Sequence, residues 1–359
     1  MSEALRLPSE QLFQEEIKAI KKQDRRQKPT SWQMSPWGVE TFLMGEKLKN
    51  GFKVTPKYIG NRRLIQIAIA TLVTDRALLL YGLPGTAKSW VAENIAAAIS
   101  GNSQLIVQGT AGTPETDLRF NWNYAKLLQE GPSRQAIVES PIMRAMESGK
   151  IARVEELTRI PAEVQDTLIT MLSEKNISIP DLDTYVLAQK GFNLIATANN
   201  RDKGINEFSS ALKRRFNTVI LPLPSTLEEE VSIVQKRVQD FGVLLELPEV
   251  PDSVQEIQRV VTVFRELRNA KTLDGKEKLK SPSATLSPAE AISVINNGIA
   301  LSVHFGDGDL KAHDIASSLV GAIVKDPEKD PIVWNEYLDT VIKGRKKWSD
   351  LYRACKEIS

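Results

Sequence analysis

One stretch, residues 77–90 (ALLLYGLPGTAKSW), constrains this chain more than any other. The apolar run at 77–81 has the length and composition of a buried parallel strand. It leads directly into Gly82-Leu83-Pro84-Gly85-Thr86-Ala87-Lys88-Ser89, and a helical pattern follows from Trp90. In such a strand–loop–helix unit, backbone N–H groups of the loop and helix N-terminus point at phosphates. We expect Lys88 to reach the β- and γ-phosphates of a nucleotide and Ser89 to coordinate Mg²⁺.

The loop departs from the usual pattern G-x-x-x-x-G-K-[ST] at one position, where glycine is replaced by Ala87. Alanine costs little there if its φ is negative, and it strains the loop if φ is positive. The alternative interpretation is a glycine turn that ends a strand, with Lys88 and Ser89 only capping a helix.

The composition narrows the class of protein. A chain of 359 residues with 42% hydrophobic and 26% charged residues is an ordinary globular sequence, long enough for about two or three domains. A net charge of +2 gives no indication of nucleic-acid binding. The single cysteine, Cys355, excludes an internal disulfide, and with no long apolar span or signal peptide it indicates a cytoplasmic protein. With only His304 and His313, any metal should be held by oxygen ligands and phosphate.

A pair of carboxylates follows a second apolar run. The run at 151–154 ends in Glu155-Glu156, the arrangement of a Walker B site beside a phosphate loop. One carboxylate there holds Mg²⁺ through water and the other polarises the attacking water. The usual pair is Asp-Glu, so Glu155 is one methylene longer, and Arg153 interrupts the apolar strand. The alternative is that the two glutamates begin a solvent-facing loop.

Two further segments carry polar candidates. The strand pattern GFNLIATANN ends near Asn199, which we prefer over Asn200 as the residue that orients the attacking water or contacts the γ-phosphate. The alternative is a strand-end turn. The short helical segment EFSSALKRRF ends in Arg214 and Arg215, which could reach a neighbouring subunit's nucleotide. The alternative is that these cations face the dipole of the helix C-terminus.

The remaining pattern suggests three regions: a helical arm and linker at 1–54, a nucleotide-binding core at 55–224 and a helical lid at 225–359. The core should contain a helix at 58–75 with Asn61 as N-cap, and strands at 104–108 and 217–223. Residues 109–128 fit no regular element, and their alternating aromatic residues fit either a short exposed hairpin or a packed loop. After the break at 222–225, helices are predicted at 226–241, 251–269, 287–304, 311–324 and 332–358.

The ordered segments GLPGTAKS, VEEL, IATANN and ALKRRF, followed by a helical region, resemble an AAA+ ATPase. The sequence between these segments, including RIPAEVQDTLITMLSE and NISIP…GFNLIATANN, resembles the MoxR family more specifically, over residues 55–225. The resemblance implies an α/β P-loop AAA+ fold. A parallel sheet in the order of additional-strand P-loop proteins would be sandwiched by helices and followed by an all-helical lid.

The resemblance also implies roles for individual positions. Walker A would comprise Gly82, Gly85, Thr86, Lys88 and Ser89, with Ala87 and Trp90 in the same cofactor-binding stretch. Walker B would supply Glu155 for the metal and Glu156 as catalytic carboxylate, Asn199 would be sensor 1, and Arg215 the arginine finger with Arg214 as alternative. The sensor 2 arginine has no counterpart, because Ala289-Glu290 stands in LSPAEAISV where it is expected. Slow or regulated hydrolysis is therefore one expectation.

The function implied is Mg²⁺-dependent ATP hydrolysis by a homo-oligomeric ring, a hexamer in the family it resembles. Such rings remodel, activate or chaperone a partner protein, often one with a von Willebrand A domain, and no residue here identifies that partner. Two alternatives stay open: a motor subunit of a nucleic-acid restriction or chelatase-like complex, and a nucleotide-binding scaffold with little turnover.

Overall fold

The structure, a computed structural model, describes residues 4–199, 206–247 and 253–358. Contacts group the chain into two units. Unit 1 consists of Met1–Leu83 and Ala87–Pro222, and unit 2 consists of Pro84–Thr86 and Leu223–Ser359. Unit 1 contains strands and helices, whereas unit 2, in the residues described, consists of helices and their connections.

The strands of unit 1 are β1 (Glu46–Lys47), β2 (Lys53–Val54), β3 (Ala77–Gly82), β4 (Ile106–Gln108), β5 (Phe120–Trp122), β6 (Ile137–Glu139), β7 (Ile151–Glu155), β8 (Asn176–Ile179), β9 (Thr184–Leu187), β10 (Asn193–Asn199) and β11 (Phe216–Ile220). Its helices are α1 (Ser9–Leu12), α2 (Gln14–Gln23), α3 (Pro36–Met44), α4 (Arg62–Val73), α5 (Lys88–Ser100), α6 (Glu115–Leu118), α7 (Tyr124–Glu130), α8 (Pro141–Ser148), α9 (Ala162–Gln165), α10 (Thr167–Ser173) and α11 (Ser210–Lys213).

A five-stranded parallel sheet forms the centre of unit 1, in the spatial order β11–β3–β10–β7–β4. This confirms the predicted α/β class and the strand order of additional-strand P-loop proteins. Strands β3 and β10 end in register, with Gly82 opposite Asn199. Because the strands run in one direction, the carboxyl ends of β3, β10 and β7 lie at one edge of the sheet.

Helices cover both faces of this sheet. Side chains alternate between the two faces of each strand, and both faces of β3 are apolar. Leu78 and Leu80 of β3 pack in one apolar layer with buried residues of α4 and α5. Leu79 lies in a second layer with residues of α8 and α10. The predicted N-cap of α4 is present, since the Asn61 side chain accepts a hydrogen bond from the Arg63 amide at 2.9 Å.

The N-terminal arm packs on α5, the helix that follows the glycine loop. The buried carboxylate of Glu93 accepts hydrogen bonds from Arg6 Nη2 at 2.6 Å and from Ser9 Oγ at 3.0 Å. The Phe13 ring meets the Trp90 ring edge-on, with 6.1 Å between the ring centroids. The arm is therefore anchored within its own subunit.

Two predictions for unit 1 need correction. Residues 109–128 are not irregular: they contain α6, β5 and α7, and the partner of β5 is β6, which lies beyond them in sequence. Local pattern could not show this pairing. The residue pattern also predicted a loop in place of β9, because its residues are mostly exposed and show no apolar alternation; the resemblance of NISIP…GFNLIATANN to the MoxR family, however, implied a hairpin here. Strand β9 pairs with β8 in an antiparallel hairpin before β10.

Unit 2 contains α12 (Leu227–Leu244), α13 (Ser253–Asn269), α14 (Pro288–Phe305), α15 (Ala312–Ile323), α16 (Asp330–Tyr337) and α17 (Ser349–Ile358) around one apolar core. The single long helix predicted at 332–358 is wrong. After α16 the chain makes a π-helical turn at Leu338–Ile342 and then turns at 343–344 before a second helix begins. Gly344 in this stretch is a poor helix former.

Cys355 belongs to the core of unit 2. Burial raises the pKa of its thiol to about 12, so the thiolate is disfavoured at neutral pH. Among the helices of the described ranges, none has both the length and the apolar character that crossing a bilayer requires.

The contact between the arm and α5 can be tested with Glu93→Ala. Removing the carboxylate leaves the buried Ser9 hydroxyl without its acceptor, so we expect a loss of about 1–3 kcal/mol in unfolding free energy and faster amide hydrogen exchange in α1 and α2. Glu15→Ala is the control, because Glu15 and its partner Lys18 are both exposed. This variant should change the unfolding free energy by less than about 0.5 kcal/mol. Unchanged exchange in the Glu93 variant would contradict the anchoring role.

Candidate functional site

The glycine loop joins β3 to α5 through a left-handed residue. Ala87 has φ 63° and ψ 21°, so the alanine occupies the conformation that glycine favours. An L-residue in this region costs roughly 1–2 kcal/mol. Gly85 also has a positive φ, 76°, and there glycine removes the cost. The loop of this chain is therefore strained at one position.

Lys88, the first residue of α5, is buried under the loop. Its Nζ donates to the carbonyl oxygens of Gly82 at 3.1 Å and of Leu83 at 2.7 Å. The ammonium therefore lies at the end of β3, within the turn where the sequence predicts phosphates. Trp90 is directed elsewhere: its Nε1 donates to the Lys57 carbonyl at 2.9 Å, and its ring contacts the arm.

Glu155 ends β7, and its buried carboxylate lies beside Ser89. Oε2 accepts hydrogen bonds from Ser89 Oγ at 2.6 Å and from Thr197 Oγ1 at 2.5 Å. Oε1 accepts one from Arg153 Nη2 at 2.7 Å. The fold thus brings together the two residues proposed for the metal, which are 66 positions apart in sequence.

Glu156 begins the turn after β7 in a left-handed conformation, with φ 52°. Its amide donates to Thr197 Oγ1 at 3.1 Å, and its half-exposed carboxylate lies 3.1 Å from Arg159 Nη1. The Gly109 amide donates to the Glu155 carbonyl at 2.8 Å. A Cβ on Gly109 would lie 2.6 Å from the Glu156 carbonyl oxygen, so only glycine allows this approach.

Thr197 and Gly109 are the site residues that sequence reasoning missed. Thr197 is a polar residue at a buried position of an apolar strand, and that contrast was the available signal. Gly109 directly follows the short strand β4, and nothing local indicates that the backbone of another strand lies against it.

Asn199 is the last residue of β10 and is half-buried at the same sheet edge as the glycine loop. Asn200, the alternative, lies outside the described residues. In unit 2, Glu290 closes a capping box at the start of α14 by accepting a hydrogen bond from the Ser287 amide at 2.7 Å. The position where a sensor 2 arginine was expected therefore has a helix-capping role.

The two arginines after α11 have different surroundings. Arg215 is held inside unit 1: its Nε donates to Ser173 Oγ at 2.8 Å and its Nη1 to the Ala211 carbonyl at 3.1 Å. Arg214 is exposed, and within the part of the chain described its guanidinium makes no hydrogen bond or ion pair. Its backbone carbonyl accepts a hydrogen bond from Arg76.

The glycine loop follows β3, the carboxylates lie at the end of β7, and a polar residue ends β10, the strand between them. This is the arrangement of additional-strand P-loop ATPases, the group that includes the AAA+ class. Comparison with known proteins agrees. Residues 77–216 match the AAA domain of the dynein-related subfamily, and residues 228–358 match the YehL-like AAA+ ATPase C-terminal domain.

A relative covers nearly the whole chain. It is described as uncharacterized protein YehL of Escherichia coli strain K12, and it is 36% identical over 360 residues, which are 97% of this chain and 96% of the relative. This chain belongs to the YehL-like AAA+ ATPases. AAA+ membership is thus confirmed, whereas the narrower MoxR assignment stays a prediction.

Two more distant similarities add no detail to this assignment. Uncharacterized protein SH1500 of Staphylococcus haemolyticus strain JCSC1435 is 20% identical over 201 residues, 55% of this chain and 76% of that protein. A crystal structure of NtrX from Brucella abortus in complex with ATP has a TM-score of 0.49 and 16% identity, and covers 85% of this chain and 70% of that chain.

The strain at Ala87 predicts the effect of restoring glycine. Ala87→Gly should raise the unfolding free energy of the nucleotide-free protein by about 1 kcal/mol, because glycine adopts a positive φ without strain. Ala97→Gly, in the interior of α5, should lower it by at least about 0.5 kcal/mol. Denaturant unfolding of both variants measures the difference, and a loss of stability in the Ala87 variant would be inconsistent with this strain.

Proposed function

We propose that this protein binds ATP at the glycine loop and hydrolyses it with Mg²⁺. The observation that carries the proposal is the 2.6 Å contact between Ser89 Oγ and the Glu155 carboxylate, directly after Lys88. A hydroxyl and a carboxylate in contact beside a buried lysine at a helix N-terminus supply ligands for a hard cation and a counter-charge for phosphate.

The oxygen donors at this point fit Mg²⁺. Ser89, Glu155 and Thr197 offer two hydroxyls and a carboxylate, and Mg²⁺ prefers such oxygen ligands together with phosphate oxygens. Within the described ranges, no group of three or more His, Cys, Asp and Glu side chains could hold a metal by itself. When bound, Mg²⁺ would neutralise charge on the β- and γ-phosphates.

The other residues then have defined roles. Lys88 would exchange its carbonyl acceptors for phosphate oxygens, and Ser89 and Glu155 would hold the metal. Glu156 accepts a proton from the attacking water as general base. Asn199, at the edge beside Gly82, orients that water or the γ-phosphate. Gly109 and Thr197 keep the backbone and amide of Glu156 in place.

We further propose that the protein acts as a cytoplasmic homo-oligomeric ring, a hexamer as in the MoxR-like proteins its sequence resembles. An arginine after α11 would complete the site of the neighbouring subunit. The work of the ring would be remodelling of a partner protein, with a von Willebrand A domain protein as the first candidate. Co-purification with the Glu156→Gln variant, which would trap the ATP state, identifies the partner.

A second candidate function is a nucleotide-binding scaffold with little turnover. Two observations favour it: Glu155 is paired with Arg153, and Glu290 caps α14 where a sensor 2 arginine was expected. ATP binding without turnover in the assembled protein would select this alternative.

Variants at Lys88 and Glu156 test the central proposal. Lys88→Ala should abolish ATP binding, because the loop loses its cation. Glu156→Gln should keep ATP binding and lower turnover by about 100-fold or more, because an amide cannot act as general base. Binding by calorimetry and phosphate release measure the two effects. Undiminished ATP affinity in Lys88→Ala would reject the site.

The arginine finger is tested by a matched pair of variants. If Arg215 acts in trans, Arg215→Ala should leave ATP binding intact and lower turnover of the assembled protein on the order of 1,000-fold. Arg214→Ala should then have little effect. The opposite result would assign the finger to the exposed Arg214, and normal turnover in both variants would exclude a finger from this segment.

A further inference from the structure

Arg153 is a charged residue in the middle of a buried strand. It lies on the same face of β7 as Ile151 and Glu155, because side chains alternate along a strand. Only 4% of Arg153 and 3% of Glu155 are exposed to solvent. A buried charge is costly unless it is paired, so the contacts of this guanidinium indicate why the strand tolerates it.

The guanidinium is held by neighbours on three sides. Nη1 donates to the Ser103 carbonyl at 2.8 Å, and Nη2 approaches the Ser89 carbonyl at 3.4 Å. Nη2 also donates to Glu155 Oε1 at 2.7 Å. Within the described part of the chain, Arg153 Nε has no hydrogen-bond partner. Among the described residues, Glu155 is the one charged side chain that pairs with Arg153.

The two oxygens of Glu155 have different partners. Oε1 faces Arg153, whereas Oε2 faces Ser89 and Thr197. The carboxylate therefore has a hydrogen-bond partner on each oxygen and a counter-ion, all from the protein itself. A Walker B carboxylate without such a neighbour would present a full negative charge to a cation at Ser89.

Charges around the pair are also balanced. Arg153, Glu155 and Ser89 line a cavity of about 470 Å³ that extends to Arg6 and Glu93. Glu93 is itself paired with Arg6 at 2.6 Å. Within the described residues, the two carboxylates that line this cavity, Glu93 and Glu155, each have an arginine as counter-ion, so neither is left unpaired for a divalent cation.

We propose that Arg153 is a built-in counter-ion of Glu155 that weakens Mg²⁺ binding at the nucleotide site. This inference rests on the proposed function and concerns regulation of the same site. The guanidinium repels a cation at Ser89 and neutralises the carboxylate that would attract it. The metal-free site is consequently stable, and loading of Mg²⁺ with ATP requires a higher Mg²⁺ concentration than an unpaired Glu155 would need.

The test compares full-length wild type with Arg153→Met and Arg153→Lys. Binding of a fluorescent ATP analogue is followed while Mg²⁺ is titrated, and the affinity for the analogue in EDTA is measured separately. Arg153→Met should lower the half-saturating Mg²⁺ concentration tenfold or more, with metal-free affinity changed by less than about twofold. Arg153→Lys keeps a cation and should stay near wild type.

Thermal unfolding provides a second readout. Without metal, Arg153→Met should melt below wild type, because Glu155 is left buried and unpaired. Mg²⁺ with the ATP analogue should then raise its melting temperature by more than that of wild type. Arg153→Gln, which can still donate to the Ser103 carbonyl, serves for both measurements if the methionine variant does not fold.

The outcomes separate the two proposals. If all variants bind the analogue with equal or higher Mg²⁺ requirements than wild type, Arg153 is not a counter-ion and the inference is overturned. If wild type binds no nucleotide at any Mg²⁺ concentration, the proposed function itself fails.

Discussion

The parallel register of three strands is the constraint on which the rest of this site depends. Strands β3 and β10 end opposite one another at Gly82 and Asn199, and β7 lies against the other side of β10. A parallel sheet places all its carboxyl ends at one edge, so the loop, the carboxylates and the amide meet there. No single segment could assemble this site, because its groups come from separate strands.

The unusual residues at this edge compensate for one another. The longer Glu155 reaches Ser89 and Thr197 with one oxygen and leaves the other for Arg153. Without that carboxylate, Arg153 would be a buried and unpaired charge, which destabilises a fold. The two departures from the common Walker B pattern, Glu155 and Arg153, thus depend on one another, because they form an ion pair. The charge at this strand end is less negative than that of two carboxylates without a basic neighbour.

The N-terminal arm packs on α5, the helix that begins at this edge of the sheet. Glu93, on the same helix as Lys88 and Ser89, is buried by contacts with Arg6 and Ser9. The helix that follows the glycine loop therefore packs against the sheet on one side and contacts the arm through Glu93. Ala87 keeps its left-handed conformation at the start of this helix, and strained backbone of this kind is common at functional sites.

The strand order was implied by the resemblance to AAA+ ATPases, not by any single segment. The sequence by itself determined the α/β class, most helices of unit 2 and the residues expected at the glycine loop. These follow from local signals: apolar runs, glycine spacing and helical periodicity. It could not determine the pairing of β5 with β6, because α7 separates the two strands in sequence. It also missed strand β9, whose residues are mostly exposed, and the interruption after α16, because a π-helical turn leaves no distinct apolar pattern. Only the tertiary structure decided the partners of Glu155, since Arg153, Ser89 and Thr197 reach it through the face and register of three elements. Hydrogen bonds between distant segments depend on geometry that no local pattern records.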